Sequence, residues 1–274
     1  MNNIDPIRIL RCKIALQTMK DYQKITIILT LLFMGIAVMY SSMYPAFKDV
    51  MADMVESGFA ESFAAFRGSE DMASYVGFLN IELYQIFWLL IFGILVGFIA
   101  ASLISKEIEA KTIDLFMSNP VSRKQIVFEK YLGLIPLILI INFATMITVY
   151  GVTLAVNEEL NFENLFMTHI ISIPYFMAVA GIGLVVSVII NEKMKASIIM
   201  IAVLVGMFVF ESISLMIPDY ESMGLISITH YFNPYDILKL GKVDVVGVIV
   251  LFVVIIECLI ISMLYFEKCD IAVS

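Results

Sequence analysis

Six apolar runs, each long enough to cross a membrane as a helix, constrain the fold of this chain more than any other feature. A helix needs about 20 apolar residues to cross the ~30 Å hydrocarbon core of a bilayer. The 274-residue sequence is 61% hydrophobic and only 15% charged, whereas a soluble domain is about 25% charged. The predicted spans are residues 25–47, 83–105, 131–157, 165–190, 196–217 and 245–266. The sequence therefore predicts an all-α integral membrane protein with six transmembrane helices.

The basic residues predict the orientation of these spans. Of the 17 Lys and Arg residues, 13 lie before the first span, after the sixth span or in the second and fourth connections, and four lie in the other three connections. Because segments rich in Lys and Arg remain in the cytoplasm, residues 1–24 and the tail at 267–274 are expected there, in a multi-pass protein of the plasma membrane. The net charge of −8 offers no electrostatic basis for binding nucleic acid.

Two segments beside the first span have amphipathic patterns. In residues 1–24, Ile7, Leu10 and Ile14 recur at helical spacing, with basic residues on much of the remaining surface. This pattern is typical of a helix that lies on the membrane surface, here the cytoplasmic one. Helical spacing over residues 47–59 predicts a second such helix, on the outer leaflet.

The longest cytoplasmic connection, within residues 105–130, is predicted to form two helices separated by a break. The residue before Pro120 avoids the α region, so the first helix ends there. Ser122 and Gln125 form a capping pattern that begins the second helix. The connection is too short to contain an ATPase domain. A rigid elbow of this kind has two uses: it lies against lipid headgroups, or it docks into a cleft on a soluble partner.

This connection resembles the signature of the ABC-2 type permeases, the membrane subunits of one class of ATP-binding-cassette transporters. The matching residues are Glu109, Thr112-Ile113, Leu115-Phe116, Pro120-Val121-Ser122-Arg123 and Lys130. Phe232-Asn233-Pro234 before the last span and an aromatic, charged ending at residues 266–270 also resemble the family. The chain departs from the family at Lys111, where many members have Gly, and at Lys268 and Cys269, where members have two Arg.

The resemblance implies a type V exporter-like subunit that pairs with a second permease copy or a paralogue to form a translocation pathway. A separate cytoplasmic ABC ATPase would drive each half through a coupling helix at residues 105–117. The residues assigned to this coupling are Glu107, Glu109, Thr112, Leu115, Phe116, Pro120 and Arg123. The chain has no GxxxxGK[ST] phosphate loop. It is therefore expected to be no enzyme and to bind no cofactor, with ATP and Mg held by the partner subunit.

Two carboxylates lie inside predicted spans. Glu257 is near the middle of the sixth span, and Glu211 is towards the outer end of the fifth. A carboxylate inside the membrane costs ~3 kcal/mol or more and marks a candidate functional site, although a Glu hydrogen-bonded between helices is the alternative. Glu257 gives the competing hypothesis, an ion-coupled secondary transporter, which would normally also show inverted repeats.

Small residues and histidines give weaker indications. Gly93 and Gly97 form a GxxxG pattern, which predicts close helix packing within or between subunits. His169 and His230 are not at the spacing of metal ligands. No metal site is predicted.

Overall fold

The structure is a computed structural model that describes residues 13–63, 65–112 and 121–268. Within these residues it contains helices and no strands, and six helical segments are long and apolar enough to cross a membrane. They are Lys13–Glu56, Tyr75–Glu109, Arg123–Ala155, Phe162–Ile189, Lys193–Met216 and Val245–Lys268. Each predicted span lies in a different segment and extends at most two residues beyond it. The prediction of six spans is therefore confirmed.

The first span is a single helix, α1 (Lys13–Glu56). At 1.5 Å per residue its length is ~66 Å, about twice the ~30 Å hydrocarbon thickness. No break separates residues 13–24 from the predicted span, because that stretch contains neither Gly nor Pro to end a helix. Residues 47–56 also continue α1 instead of forming a separate amphipathic helix. The rest of the predicted surface helix, residues 1–12, lies outside the described residues.

The second span changes helix type along its length. It runs through α2 (Tyr75–Leu79), a π-helix (Asn80–Phe92) and α3 (Gly93–Ala101), and a turn then leads to α4 (Ser105–Glu109). π-Helical segments are rare and usually short. This one carries Tyr84 and Trp88, which are fully buried.

The remaining helices complete the bundle. They are α5 (Arg123–Leu132), α6 (Ile135–Ala155), α7 (Phe162–Ile189), α8 (Lys193–Met216), α9 (Pro234–Leu240) and α10 (Val245–Lys268). Helices α5 and α6 together form the third span, and α9 lies in the connection before the last span. Short 3-10 helices lie in the connections at Phe59–Phe63, Ser69–Asp71, Pro218–Ile226 and Ile228–Tyr231.

Helix α7 is the centre of the bundle and contacts α3, α6, α8 and α10. Its Phe176 packs against Trp88 and Phe92 of the second span, with ring centroids 5.3 and 4.5 Å apart, and Phe33 of α1 closes the cluster. Aromatic pairs at such distances stabilise a core beyond their buried area. By contrast, α8 and α10 expose many large apolar side chains, as expected for helices that face lipid or another subunit.

The bundle has two ends, which we name by the residues they hold. The terminal end contains Ile14, Glu129 and Glu267, because contacts join the start of α1 to α5 and the end of α10 to α5. The opposite end contains residues 57–74 and 217–244. The connection within residues 105–130 leaves the bundle at the terminal end.

Candidate coupling site

The connection between the second and third spans starts from a buried turn that is fixed to the central helix. The backbone N–H groups of Ile104 and Ser105 both donate to Ser187 Oγ of α7, at 2.9 and 3.1 Å. All three residues are buried. Because the first N–H groups of a helix have no acceptor inside it, Ser187 both satisfies the start of α4 and fixes its position against α7.

A buried ion pair joins the two arms of the connection. Lys130 Nζ in α5 donates to Glu107 Oε1 in α4, and these side chains are only 2% and 9% exposed. The other carboxylate oxygen, Glu107 Oε2, is buried and accepts no hydrogen bond from the described residues. Since two charges removed from water must remain paired to avoid a penalty of several kcal/mol per ion, this pair holds α4 and α5 together as one unit.

The first helix is attached to the same unit through two polar contacts. The N–H of Ile14 donates to Glu129 Oε2 at 3.1 Å, while Gln125 Nε2 donates to Glu129 Oε1 at 2.6 Å. Lys106 Nζ donates to the Tyr22 hydroxyl at 3.3 Å and lies 4.7 Å from the centre of that ring. Helix α1 therefore contacts both arms of the connection.

Two of the predicted coupling residues contact the last two spans. Glu109 Oε2 accepts a hydrogen bond from the N–H of Lys193, at the start of α8, at 2.9 Å. Arg123 Nη1 donates to the carbonyl of Phe266 in α10 at 3.3 Å, and its guanidinium carbon lies 5.9 Å from the Phe266 ring centre.

The other predicted coupling residues fall at the edge of the described connection or beyond it. The N–H of Thr112 donates to the carbonyl of Glu107 at 2.9 Å, closing a turn after α4. Leu115, Phe116 and Pro120 lie outside the described residues.

The backbone on each side of the undescribed residues agrees with the sequence pattern. Lys111 has φ +53°, in the left-handed region that favours glycine, and this is the position where many ABC-2 permeases carry Gly. Ser122 caps α5, since its hydroxyl accepts from the N–H of Gln125 at 3.2 Å. The predicted cap is confirmed, although the Gln125 side chain turns to Glu129 instead of returning to Ser122.

The described parts of the connection, residues 105–112 and 121–130, form its base. The contacts above link this base to all six spans. Its two arms continue directly into the second and third spans, and it contacts the first through Ile14, the fourth through Ser187, the fifth through Lys193 and the sixth through Phe266. Sequence reasoning missed Tyr22, Ser187 and Glu129. Their contacts with Lys106, Ile104 and Ile14 join residues 84, 83 and 115 positions apart along the chain, which no local pattern marks.

Glu211 lies at the opposite end of the bundle in a second ionic cluster. Arg67 donates to Glu211 Oε1 from Nη2 and Nε at 2.5 and 3.2 Å, and His230 Nδ1 lies 2.9 Å from Oε2. The cluster joins the first and last connections at that end to α8. Among the described residues, Glu211 is thus a buried, paired carboxylate, and Arg67 was not predicted as its partner.

A tyrosine packs beside this cluster, at the same end of the bundle. The ring of Tyr235 in α9 packs over Gly68, where an added Cβ would lie 2.3 Å from the ring, and Gly68 has φ +75°. Burial, followed by the charge of Asp71, raises the pKa of Tyr235 to about 12. Asp71 also pairs with Lys239 at 2.9 Å, which joins α9 to the first connection at this end.

The remaining polar candidates are separate from both clusters. Glu257 is exposed on the surface of α10 and forms no hydrogen bond or ion pair with the residues that the structure describes. His169 is buried, and its Nε2 and Nδ1 lie 3.1 and 2.9 Å from the Tyr84 hydroxyl and Asn142 Oδ1. Over residues 13–63, 65–112 and 121–268, no three His, Cys, Asp or Glu residues are grouped so as to hold a metal ion.

The GxxxG residues face other helices of the same chain. A Cβ added at Gly93 would lie 3.2 Å from Leu204, and one added at Gly97 would lie 3.0 Å from Met200, both in α8. Helix α7 approaches α3 just as closely, since a Cβ at Gly183 would meet the Gly97 carbonyl at 2.8 Å. The small residues therefore let three spans pack tightly, as the spacing predicts.

Comparison with known proteins identifies the family. The family described as "ABC-2 family transporter protein" matches residues 18–271, which include all six spans and the connection at the terminal end. No curated protein matches the chain. Over nine-tenths of its length, and in agreement with the six-span fold, the chain belongs to the ABC-2 family of membrane transporter proteins.

Proposed function

We propose that this chain is the permease of an ABC exporter and forms a dimeric translocation pathway with a second copy or a paralogue. A separate ABC ATPase subunit docks on the terminal end, binds ATP and Mg, and supplies the energy, so that this chain is not itself an enzyme. The terminal end faces the cytoplasm from the plasma membrane. Membership of the ABC-2 family and the basic residues concentrated at this end support the proposal.

The observation that carries the proposal is the link between the base of the connection and all six spans. An ATPase that displaces the connection would act on α4 and α5, which the Glu107–Lys130 pair keeps together. Ser187 would pass the displacement to the central helix, and Glu109 would pass it to α8 through Lys193. A surface loop that only rests on lipid headgroups would not need such buried attachments.

Phe116→Asp tests the docking. An aspartate placed in an apolar cleft loses hydration without gaining a partner, so we expect the affinity for the ATPase to fall at least about tenfold. The measurement is recovery, on the tagged chain, of a soluble subunit that bears a phosphate loop, together with ATP hydrolysis by the recovered complex. The wild-type chain purified alone is expected to hydrolyse no ATP.

Phe59→Asp is the matched control, because Phe59 is an exposed aromatic residue at the opposite end. It is expected to retain the ATPase. The coupling role is wrong if Phe116→Asp keeps both the partner and normal transport. ATP hydrolysis by the permease alone would refute the wider assignment.

Glu257→Gln separates this proposal from an ion-coupled carrier. A carrier that used Glu257 would transport under an ion gradient without an ATPase and would lose that activity in the variant. Under our proposal, transport requires the ATPase in both the wild type and Glu257→Gln, and no ion gradient replaces it.

A further inference from the structure

A groove separates α1 from α6 in the half of the bundle nearest the terminal end. At one end of the groove α1 packs closely on Gly133, which lies between α5 and α6, since an added Cβ there would be 2.6 Å from Thr18 Cβ. The third span breaks immediately afterwards, because α5 ends at Leu132 and α6 begins at Ile135 with Pro136 in its first turn. Beyond the break, a cavity of about 500 Å³ lies between α1 and α6 and opens to the outside of the bundle.

The lining of the groove suits a hydrocarbon chain. Ile27 and Leu31 of α1 and Leu137 and Ile140 of α6 line its length. The hydroxyls of the lining residues Thr26 and Thr30 donate to carbonyls within α1, so they need no polar partner in the groove.

The part of the groove beyond Lys20 matches one leaflet. The lining of α1 begins at Leu16, and from Lys20 to Leu31 the helix rises ~16 Å. This is about half of the ~30 Å hydrocarbon core. An acyl chain from one leaflet therefore fits along the groove.

Positive charge lies at the end of the groove nearest the terminal end. Lys20 is part of the lining, and Lys13 and Lys24 lie on the same helix. Asp21 is the only carboxylate in residues 13–47, and it accepts a hydrogen bond from Gln17 at 2.8 Å. A cation at the headgroup level beside an apolar groove is complementary to a phosphate attached to an acyl chain.

We propose that this groove binds one anionic phospholipid from the leaflet at the terminal end. The phosphate pairs with Lys20, and one acyl chain lies against Ile27, Leu31 and Ile140. The groove borders the coupling site at Tyr22, which lines it and also accepts a hydrogen bond from Lys106. Lipid binding there requires neither an ATPase nor a particular direction of transport. The lipid fills the gap that the break at Gly133 opens between the first and third spans.

The test is lipid retention by the purified full-length chain. The protein is reconstituted in vesicles of equimolar phosphatidylcholine and phosphatidylglycerol, extracted in mild detergent, and examined by native mass spectrometry. We expect one retained phosphatidylglycerol per chain. Lys20→Met removes the charge but keeps an apolar stem, and should lower this retention about fivefold. Leu31→Trp fills the groove and should abolish retention of either lipid.

Lys24→Met and Ile28→Trp are the matched controls, because both residues are exposed on α1 outside the lining. They should retain the lipid as the wild type does. Equal losses in Lys20→Met and Lys24→Met would mean that only general surface charge attracts the lipid, and would overturn the proposal. A photoactivatable crosslinker at residue 31 should label phosphatidylglycerol. Labelling of a second copy of the chain instead would identify a protein interface and would equally overturn it.

Discussion

Removal of Lys130 should destabilise the protein strongly, because it leaves a buried carboxylate without its ionic partner. In Lys130→Met, the Glu107 side chain stays buried, and neither of its oxygens accepts a side-chain hydrogen bond from another described residue. Breaking a buried ion pair by removing one partner costs about 3–5 kcal/mol. For a chain of this size, such a loss corresponds to a fall in Tm of roughly 10 °C.

The assay is thermal unfolding in detergent, followed by fluorescence-detected size exclusion. Lys124→Met is the matched control, because Lys124 and Glu267 form a pair of the same charge type at 2.8 Å whose side chains are 45% and 50% exposed. An exposed pair contributes only about 0–1 kcal/mol, so this variant should unfold within a few degrees of wild type. The double variant Lys130→Met, Glu107→Met should recover much of the lost stability. Equal, small shifts in the two single variants would refute the reasoning.

Two further variants test the backbone and the opposite end. Lys111→Gly should stabilise the protein by about 0.5–1 kcal/mol, because relief of left-handed backbone strain exceeds the extra entropy of an unfolded glycine. Lys111→Ala, which retains the strain, should show no gain in the same unfolding assay. Arg67→Met should cost about 2 kcal/mol by removing two hydrogen bonds from Glu211. Combining it with Glu211→Gln should show a coupling of at least about 1 kcal/mol in a double-mutant cycle, and additive effects would exclude a direct pair.

The number and position of the spans could be predicted from the sequence, because a membrane leaves a chain few choices. Every backbone polar group must be satisfied inside the bilayer, so each long apolar run forms a helix. The ends of α1 could not be predicted in the same way. Hydropathy marks only the part of a helix that lies inside lipid. Helix α1 continues beyond it through residues 13–24 and 47–56, which are more polar. Their charged residues are Lys, Asp and Glu, which a helix accommodates.

The polar contacts of the site were predictable only where they are local. The Ser122 cap follows from a three-residue spacing. Arg67 lies 144 residues from Glu211, and Ile14 lies 115 residues from Glu129, in elements whose relative position depends on how all six spans pack. Glu107 was assigned to coupling as a charge on the face of the predicted elbow, but the structure buries it against Lys130, so it joins the two arms instead of facing a partner.

Photo-crosslinking from residue 116 tests the central claim most directly. A photoreactive phenylalanine analogue in place of Phe116 is activated in native membranes, and the adduct is identified by mass spectrometry, with the same analogue at Phe59 as the control. The account predicts a cross-link from residue 116, and none from residue 59, to a soluble subunit that carries a phosphate loop. Adducts with lipid alone at residue 116 would show that this connection rests on the membrane surface, and would contradict the account.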